Sequence, residues 1–556
     1  MPTVTVNNQP VEIGEKERLN CIEAAQRAGV EIPHYCWHPD LSVVASCRMC
    51  LVEVGDKKPD GTVAMQPKLV PGCQTPVKDG TVVIADSPKV KAAQKATLEY
   101  LLLNHPLDCP TCDQAGECGL QDYSYKYGRG YSRLNEPKNI KPDKDYIGDQ
   151  ITLFTDRCIM CTRCVRFTRE VAGTAELQVT SRGSHEEIDI FPGEPCNNKL
   201  AGNVVDLCPV GALCSKDFLY EQRVWWLKTK KSTCSGCSTG CSITIDQNED
   251  VVFRLKPRSN PQAQGNFMCD DGRFGWKYIA SDKRLEGPVQ RFGGSVVSND
   301  WDQILAGVRD SLQTAAKQKP EKVAAVFSPW MTIEEAYLLA KYLKGLSPKI
   351  TLTIAKTRID GEDDTYPKDV QGRPVQPVKF TIRAEKAPNR RGVEAVLKHF
   401  QGSVIPAGDV LGGAYDTLYI VNGDPVGSVT PQQAATLAKS KTLIVQDLLA
   451  SPLSDAAHYV LAGGSWVERD GAFVNHAGLA QGITRAIHGP EEARPDGRIL
   501  SELSGRGALF NAQRIRAELA KEVAAFAPLG DGQLGEYGVF LEGAGAVAGA
   551  GAAAKA

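Results

Sequence analysis

Cysteine is the residue whose type and spacing stand out in this chain. All 18 cysteines lie between Cys21 and Cys269, and the rest of the 556 residues has none. Thiolates at short, regular gaps hold metals or iron–sulfur clusters, or pair as disulfides. Disulfide frameworks belong to small exported domains. The N-terminus, MPTVTVNNQP, has neither the basic nor the apolar stretch of a secretory signal. Ligation in a reducing compartment is therefore the expectation, with the chain staying where it is made.

The first group is Cys36, Cys47, Cys50 and Cys73, spaced C-x10-C-x2-C-x22-C. The plant-type 2Fe–2S pattern is C-x4-C-x2-C with a distant fourth cysteine, so this is a variant with a longer first gap. Small residues at Ala45 and Ser46 let backbone approach the sulfides. Cys36-Trp37-His38 hints at a Rieske centre, but Cys50 stands where a second histidine is needed, and no C-x2-H follows. Zinc is the plainer rival, and 2Fe–2S is the reading adopted. The second group is His105, Cys109, Cys112 and Cys118, spaced H-x3-C-x2-C-x5-C. His105 ends a helix one short turn before three close cysteines, and Pro106 and Pro110 stiffen the path. That favours ligation over a structural histidine. The spacing also suits a zinc site of three cysteines and one histidine, so this motif alone does not choose the metal.

The third group, Cys158, Cys161 and Cys164, reads C-x2-C-x2-C as in bacterial ferredoxins, whose run continues x3-C-P with the fourth cysteine serving the other cluster. Thr168 holds that fourth position here, and Cys208-Pro209 supplies a C-P ending downstream. In register with Cys208, the second triad falls on Asn198, Ala201 and Val204, none of them a thiolate. One half of a two-cluster ferredoxin has lost its site. The expected 4Fe–4S ligands are Cys158, Cys161, Cys164 and Cys208. Cys196 competes for the fourth place but lies outside the register. The fourth group is Cys234, Cys237, Cys241 and Cys269, spaced C-x2-C-x3-C-x27-C. A zinc ribbon shows two C-x2-C knuckles, so 4Fe–4S fits better. Cys21, Cys196 and Cys214 are left as small buried hydrophobes.

These groups need elements to position them. Strands are expected at Thr3–Val6 and Val11–Ile13, and a helix from about Leu19 to Ala28, which suits a ubiquitin-like ferredoxin fold. Residues 88–104 have helical periodicity, with Leu98, Leu101 and Leu102 on the apolar face. Asn135–Asp145 is polar and rich in proline and lysine, a linker. From about 290, strands at Val323–Phe327, Ile350–Ile354, Thr417–Val421 and Thr442–Gln446 alternate with helices at Ile333–Leu343 and Pro431–Lys439. That alternation argues for parallel α/β layers. Gly543–Ala556 reads as a low-complexity tail. At this length several domains are expected. With 64 Lys and Arg against 66 Asp and Glu, no basic field invites nucleic acid or an anionic membrane. No apolar run is long enough to span a bilayer.

The ordered set of four groups, followed by an α/β region, resembles the G-subunit family of NADH-quinone oxidoreductase (complex I), whose mitochondrial counterpart is the large iron–sulfur subunit. The match is strong over about 1–285 and weaker over 286–510. The resemblance implies one 2Fe–2S and three 4Fe–4S clusters, the second ligated by His105, and the fourth group suggests a bacterial source. The implied architecture is multidomain α+β and α/β. It comprises a ubiquitin-like 2Fe–2S ferredoxin domain (1–85), a 4Fe–4S segment with one histidine and three cysteines (86–145), a degenerate two-cluster ferredoxin domain (146–225) and a fourth 4Fe–4S domain (226–285). An α/β region like molybdopterin oxidoreductases (286–525) and a Gly/Ala-rich tail (526–556) complete it.

That α/β resemblance rests on Arg284-Leu-Glu-Gly-Pro-Val, His458-Tyr-Val-Leu-Ala, and Trp466-Val-Glu-Arg-Asp-Gly-Ala-Phe-Val-Asn475. Active relatives often read C-x-K-G-R after the fourth group, where this chain has Cys269-Asp-Asp-Gly-Arg273, with Asp271 at the lysine position. No cysteine remains to bind molybdenum, leaving only serine or aspartate, so no molybdopterin is expected.

No G-x-G-x-x-G stands between strand and helix, so NADH and flavin are expected on partners. The resemblance implies a wire segment that takes electrons from an FMN/NADH-binding subunit and passes them towards quinone-proximal subunits. A thioredoxin-like 2Fe–2S subunit is a further partner. The first three groups form the useful path and the fourth lies off it. The implied place is the cytoplasmic side of a bacterial inner membrane, with membrane contact only through the complex. The competing readings are a molybdopterin-dependent formate dehydrogenase or hydrogenase-type subunit, and a multi-zinc scaffold. A zinc protein would have no visible charge-transfer bands.

Overall fold

The computed structural model describes residues 1–541 except 182, 409–411, 413 and 428. The chain forms two compact units, Met1–Trp226 with Pro367–Val375, and Leu227–Tyr366 with Gln376–Ala556. The expected tail Gly543–Ala556 lies outside the described residues. The boundary expected at 526 falls inside packed structure, because Phe526 and Leu529 are buried and Val539–Phe540 pairs with Leu479–Ile483.

The first unit opens with a hairpin of Thr3–Val6 and Gln9–Glu12, Val6 opposite Gln9. Asn7 and Asn8 turn it with φ of 45° and 68°, the left-handed pair that a two-residue hairpin needs and asparagine tolerates. This turn moves the second strand ahead of the expected Val11–Ile13. Thr81–Ile84 pairs parallel with Thr3–Val6 and antiparallel with Leu51–Lys57, giving the mixed sheet of a ubiquitin-like domain. The helix Cys21–Arg27 starts at Asn20, whose side chain accepts from the Ile22 and Glu23 amides while Glu23 reciprocates. It buries Ile22, Ala24 and Ala25 in a core with Val4, Val6, Val52, Val54 and Val83.

The helix Pro88–Leu102 starts at Ser87, which caps Val90, with proline in its first turn. Its buried positions are Val90, Gln94 and Leu98; Leu101 and Leu102 are only half-buried, so the face that packs lies a turn earlier than expected. The linker stretch is fastened at its end. Lys144 is buried and its Nζ meets Asp189 at 2.6 Å and Glu187 at 3.2 Å. Ile151–Leu153 then pairs with Leu213–Ser215, and the short helices Arg163–Phe167 and Asn203–Leu207 lie in the chain between them.

The second unit begins with an antiparallel sheet of Lys228–Thr233, Ser242–Asn248 and Val251–Pro257. Its centre is a sheet of eight strands, six of them parallel in the order Tyr459–Ala462, Thr442–Asp447, Thr417–Val421, Val323–Phe327, Thr351–Ile354, Ser403–Pro406. Both faces are covered, which is why Val323–Phe327 reads as an unbroken apolar run. Val323, Ala325 and Phe327 face one core with the helix Ile333–Leu346, and Ala324 and Val326 face the other with Leu437 and Leu453. Chain order reverses between Val323–Phe327 and Thr417–Val421, and such a reversal opens a crevice at the carboxyl ends of the strands.

Candidate metal centres

The loop Ala45–Cys50 brings the first group together. Ala45 and Arg48 have positive φ, 51° and 59°, which coils the loop tightly around its sulfurs. The Cys36 thiol is held well below its ordinary range by hydrogen bonds from the Cys47 and Cys73 side chains, and the Ser46 and Cys47 amides also point at it. Cys50 is likewise lowered by its bond with Cys73. All four sulfurs therefore share one network at the mouth of the ubiquitin-like core.

In the second group, Cys112 and Cys118 are buried and Cys109 is exposed. Burial raises Cys112, with a further push from Cys109, and takes Cys118 up to about 11. His105 follows the helix Pro88–Leu102 and feels the charges of Lys138, Arg157 and Asp108. Burial first, then the charges of Lys138 and Arg157, pull it down to about 4, so the ring is neutral. Its Nδ1 is enclosed and has no hydrogen-bond partner. An enclosed ring nitrogen without a partner is costly and fits a metal ligand.

Residues 220–226 close over this group. The Tyr220 amide donates to Asp113 Oδ2 at 2.8 Å, and Arg223 donates to the carbonyls of Cys112, at 2.8 Å, and Pro110. Val224 and Trp225 pack so closely on Gly116 that a Cβ there would lie 2.7 Å from Val224 Cγ2. The aromatic segment before the fourth group thus serves the second, a pairing about 100 residues apart in sequence that no local motif announces.

Cys158, Cys161, Cys164 and Cys208 are electrostatic neighbours. Met160 and Thr162 take positive φ, 50° and 59°, and the Met160 amide donates to Cys158 Sγ at 3.4 Å. Burial and mutual repulsion push Cys158 up to about 12, Cys161 up to about 11 and Cys164 well above its ordinary range; Cys208 is among the repelling neighbours of all three. Cys208 is itself raised by burial, against the amides of Leu213, Val210 and Ala212. Cys196 is buried, with Asn198 Nδ2 3.8 Å from its sulfur. Thr168, at the fourth position of the first run, and Ala201 and Val204 of the second triad are buried. Cys21 and Cys214 are also buried.

The second and third groups are stitched by backbone. The Pro209 carbonyl accepts from the Gly119 amide at 3.1 Å and lies 3.8 Å from Cys118 Sγ. Gly211 approaches so closely that a Cβ would stand 2.2 Å from Cys112 Sγ; only glycine fits there. Tyr35, beside Cys36, reaches the Gly119 carbonyl at 3.4 Å.

Cys234, Cys237, Cys241 and Cys269 line one pocket with Gly236, Gly272 and Lys386. The Gly236 amide donates to Cys234 Sγ and the Gly272 amide to Cys269 Sγ, each at 3.4 Å. Burial pushes Cys234 up to about 12 and Cys241 and Cys269 well above the ordinary thiol range. Asp271 points outward and meets Lys386 Nζ at 3.7 Å, so a lysine from elsewhere in the chain lines the pocket. Among the described residues no three His, Cys, Asp or Glu side chains close to single-ion distances.

Comparison with known proteins follows this division. Residues 1–88 match the family described as 2Fe-2S iron-sulfur cluster binding domain, and 94–133 the NADH-ubiquinone oxidoreductase-G iron-sulfur binding region. Residues 148–214 match the NADH-quinone oxidoreductase subunit 3 ferredoxin-like domain. Residues 227–281 and 390–506 match the molybdopterin oxidoreductase Fe4S4 domain and molybdopterin oxidoreductase. The G subunit of NADH-quinone oxidoreductase from Rickettsia bellii is 38% identical over 62% of this chain and 48% of its own length. The chain belongs to the G-subunit family of NADH-quinone oxidoreductase. The NADH-ubiquinone oxidoreductase 75 kDa subunit of Reclinomonas americana is 36% identical over 66% of this chain and 51% of its own. The chain spans about half the length of these curated G-subunit relatives. A solved chain titled as NAD+-reducing [NiFe]-hydrogenase is 26% identical over 40% of this chain and 91% of that one, at a TM-score of 0.35, too low an overlap to bear on fold or activity.

The crevice at the strand ends of this G-subunit chain has no room for a pterin. The crevice at the strand ends is lined by Trp330, Met331, Asp447, Trp466, Arg469 and Asp496 among others, and its cavity is about 20 Å³, room for a water or two. The motifs that carry the resemblance are used structurally instead. Arg284 clasps Glu468 at 2.8 and 2.9 Å, Arg469 joins Asp496 at 2.7 Å, and Asn475 donates to the Thr239 carbonyl beside the fourth group at 3.0 Å.

Proposed function

We propose that this chain is an iron–sulfur electron-transfer subunit of a respiratory NADH:quinone oxidoreductase. Cys36, Cys47, Cys50 and Cys73 would hold a 2Fe–2S cluster. His105, Cys109, Cys112 and Cys118; Cys158, Cys161, Cys164 and Cys208; and Cys234, Cys237, Cys241 and Cys269 would each hold a 4Fe–4S cluster. When bound, the clusters supply one-electron carriers. The chain's residues place them, exclude water, aim amides at sulfur and set potentials. On binding, iron takes the place of the thiol protons.

The observation that carries the reading is that the first three groups are tied together inside one unit, the second to the third by the Pro209 carbonyl and the Gly119 amide and the first to the second through the Tyr35 hydroxyl, in a family of NADH-quinone oxidoreductase subunits. Flavin, NADH and quinone sites then belong to partner subunits of the same assembly. Among the described residues no helix is long and apolar enough to cross a membrane, in keeping with peripheral attachment on the cytoplasmic face of a bacterial inner membrane through those partners. A pterin dehydrogenase is disfavoured by the filled crevice.

The test is a reductive titration of the anaerobically purified chain, followed by visible absorption and EPR. Broad charge-transfer bands should bleach, and signals from one two-iron and three four-iron centres should appear. A colourless protein without such signals would remove the electron-transfer reading.

A further inference from the structure

Two arginines of the third group's helix, Arg163–Phe167, do more than pack. Arg166 is buried, 3% exposed. Its guanidinium donates to the carbonyls of Cys36 and Ser42 in the first group's loop, and to Cys161 at 3.1 Å and Thr162 at 3.3 Å in the third. Arg163 donates to the Trp37 carbonyl at 2.6 Å and the Leu207 carbonyl at 3.3 Å, the residues that flank Cys36 and Cys208. The Nε of Arg163 is enclosed and without a partner, and its charge acts on the sulfurs of Cys161, Cys208 and Cys36 together. Among the described residues neither guanidinium pairs with a carboxylate.

Buried charge without a counter-ion is expensive. Carbonyl oxygens satisfy the N–H groups but do not neutralise the cations. A cluster held by four thiolates is anionic in both of its oxidation states, and both cysteine groups surround this pair.

We infer that Arg163 and Arg166 form a cationic bridge between the first and third clusters, which raises the reduction potentials of both. The inference rests on the proposed ligation of those two groups. Each electron accepted adds negative charge beside the bridge, so the reduced states gain more than the oxidised ones. The low dielectric between the sites strengthens the effect. The two arginines are positioning residues, acting through field and carbonyl contacts rather than by binding iron.

The experiment is an EPR-monitored potentiometric titration of wild type, Arg163→Gln, Arg166→Gln, Arg163→Lys and Arg166→Lys, with iron and sulfide counted in each preparation. In the Gln variants the reduced-to-oxidised ratio of both clusters at a fixed potential should fall about tenfold, which for a one-electron couple is about 59 mV. The Lys variants should recover most of it, while the fourth cluster stays unmoved. Loss of clusters in both Gln variants with loading in both Lys variants would equally support a requirement for charge. Loaded Gln variants with unmoved potentials would overturn the bridge while leaving the cluster reading intact. Loss of clusters in the Lys variants as well would reduce the arginines to a role in shape and overturn it too. A wild type without iron and sulfide would overturn the cluster reading, and the bridge with it.

Discussion

Replacing Cys208 by alanine is expected to lower the iron and sulfide of the anaerobically purified chain by about four atoms each, the content of one 4Fe–4S cluster. Cys196→Ala is expected to leave both unchanged. Cys208 acts electrostatically on Cys158, Cys161 and Cys164 and sits under three amides, whereas the sulfur of Cys196 lies by Asn198. Because Pro209 and Gly211 also close around Cys118 and Cys112, the Cys208→Ala loss should disturb the EPR signal of the second cluster without removing its iron. Colorimetric iron and sulfide per chain, beside EPR, separate the two variants. Equal losses in both would place the fourth ligand wrongly.

Replacing His105 by cysteine is expected to keep the second cluster and move its potential down. A neutral imidazole becomes a thiolate, and the added negative charge opposes reduction. Exchange of two cysteines for histidines separates Rieske from plant-type centres by roughly 250 mV or more, so one exchange in reverse should cost on the order of 100 mV. His105→Ala, by contrast, should lose iron or leave a three-iron centre. The enclosed Nδ1 without a partner underlies both expectations. A potential unmoved in His105→Cys would make the histidine structural and pass the fourth position to another group.

The segments that carry the cysteine groups are legible in the sequence, because cluster ligation would demand short fixed spacings, and the family matches fall on those segments. Val323–Phe327 and Thr417–Val421 run as expected, since a strand buried on both faces leaves a continuous apolar mark. The second strand starts earlier than its apolar residues suggest, because the Asn7-Asn8 hairpin turn fixes its register. On Pro88–Leu102 the conspicuous leucines draw the expected face towards Leu101 and Leu102. The face that packs includes a buried glutamine, Gln94, that hydropathy discounts. The fold runs past the boundary expected at 526, because Ala- and Gly-rich sequence hides the Phe526 and Leu529 anchors. The contacts that tie one group to another, at Arg163, Arg166, Pro209 and Gly211, leave no local signature. Each depends on residues far away along the chain.

The most direct measurement is the iron, acid-labile sulfide, zinc and molybdenum content of the anaerobically purified chain. One two-iron and three four-iron clusters predict about fourteen irons per chain, with zinc and molybdenum absent. Stoichiometric zinc in place of iron would contradict the account, and stoichiometric molybdenum would contradict the filled crevice.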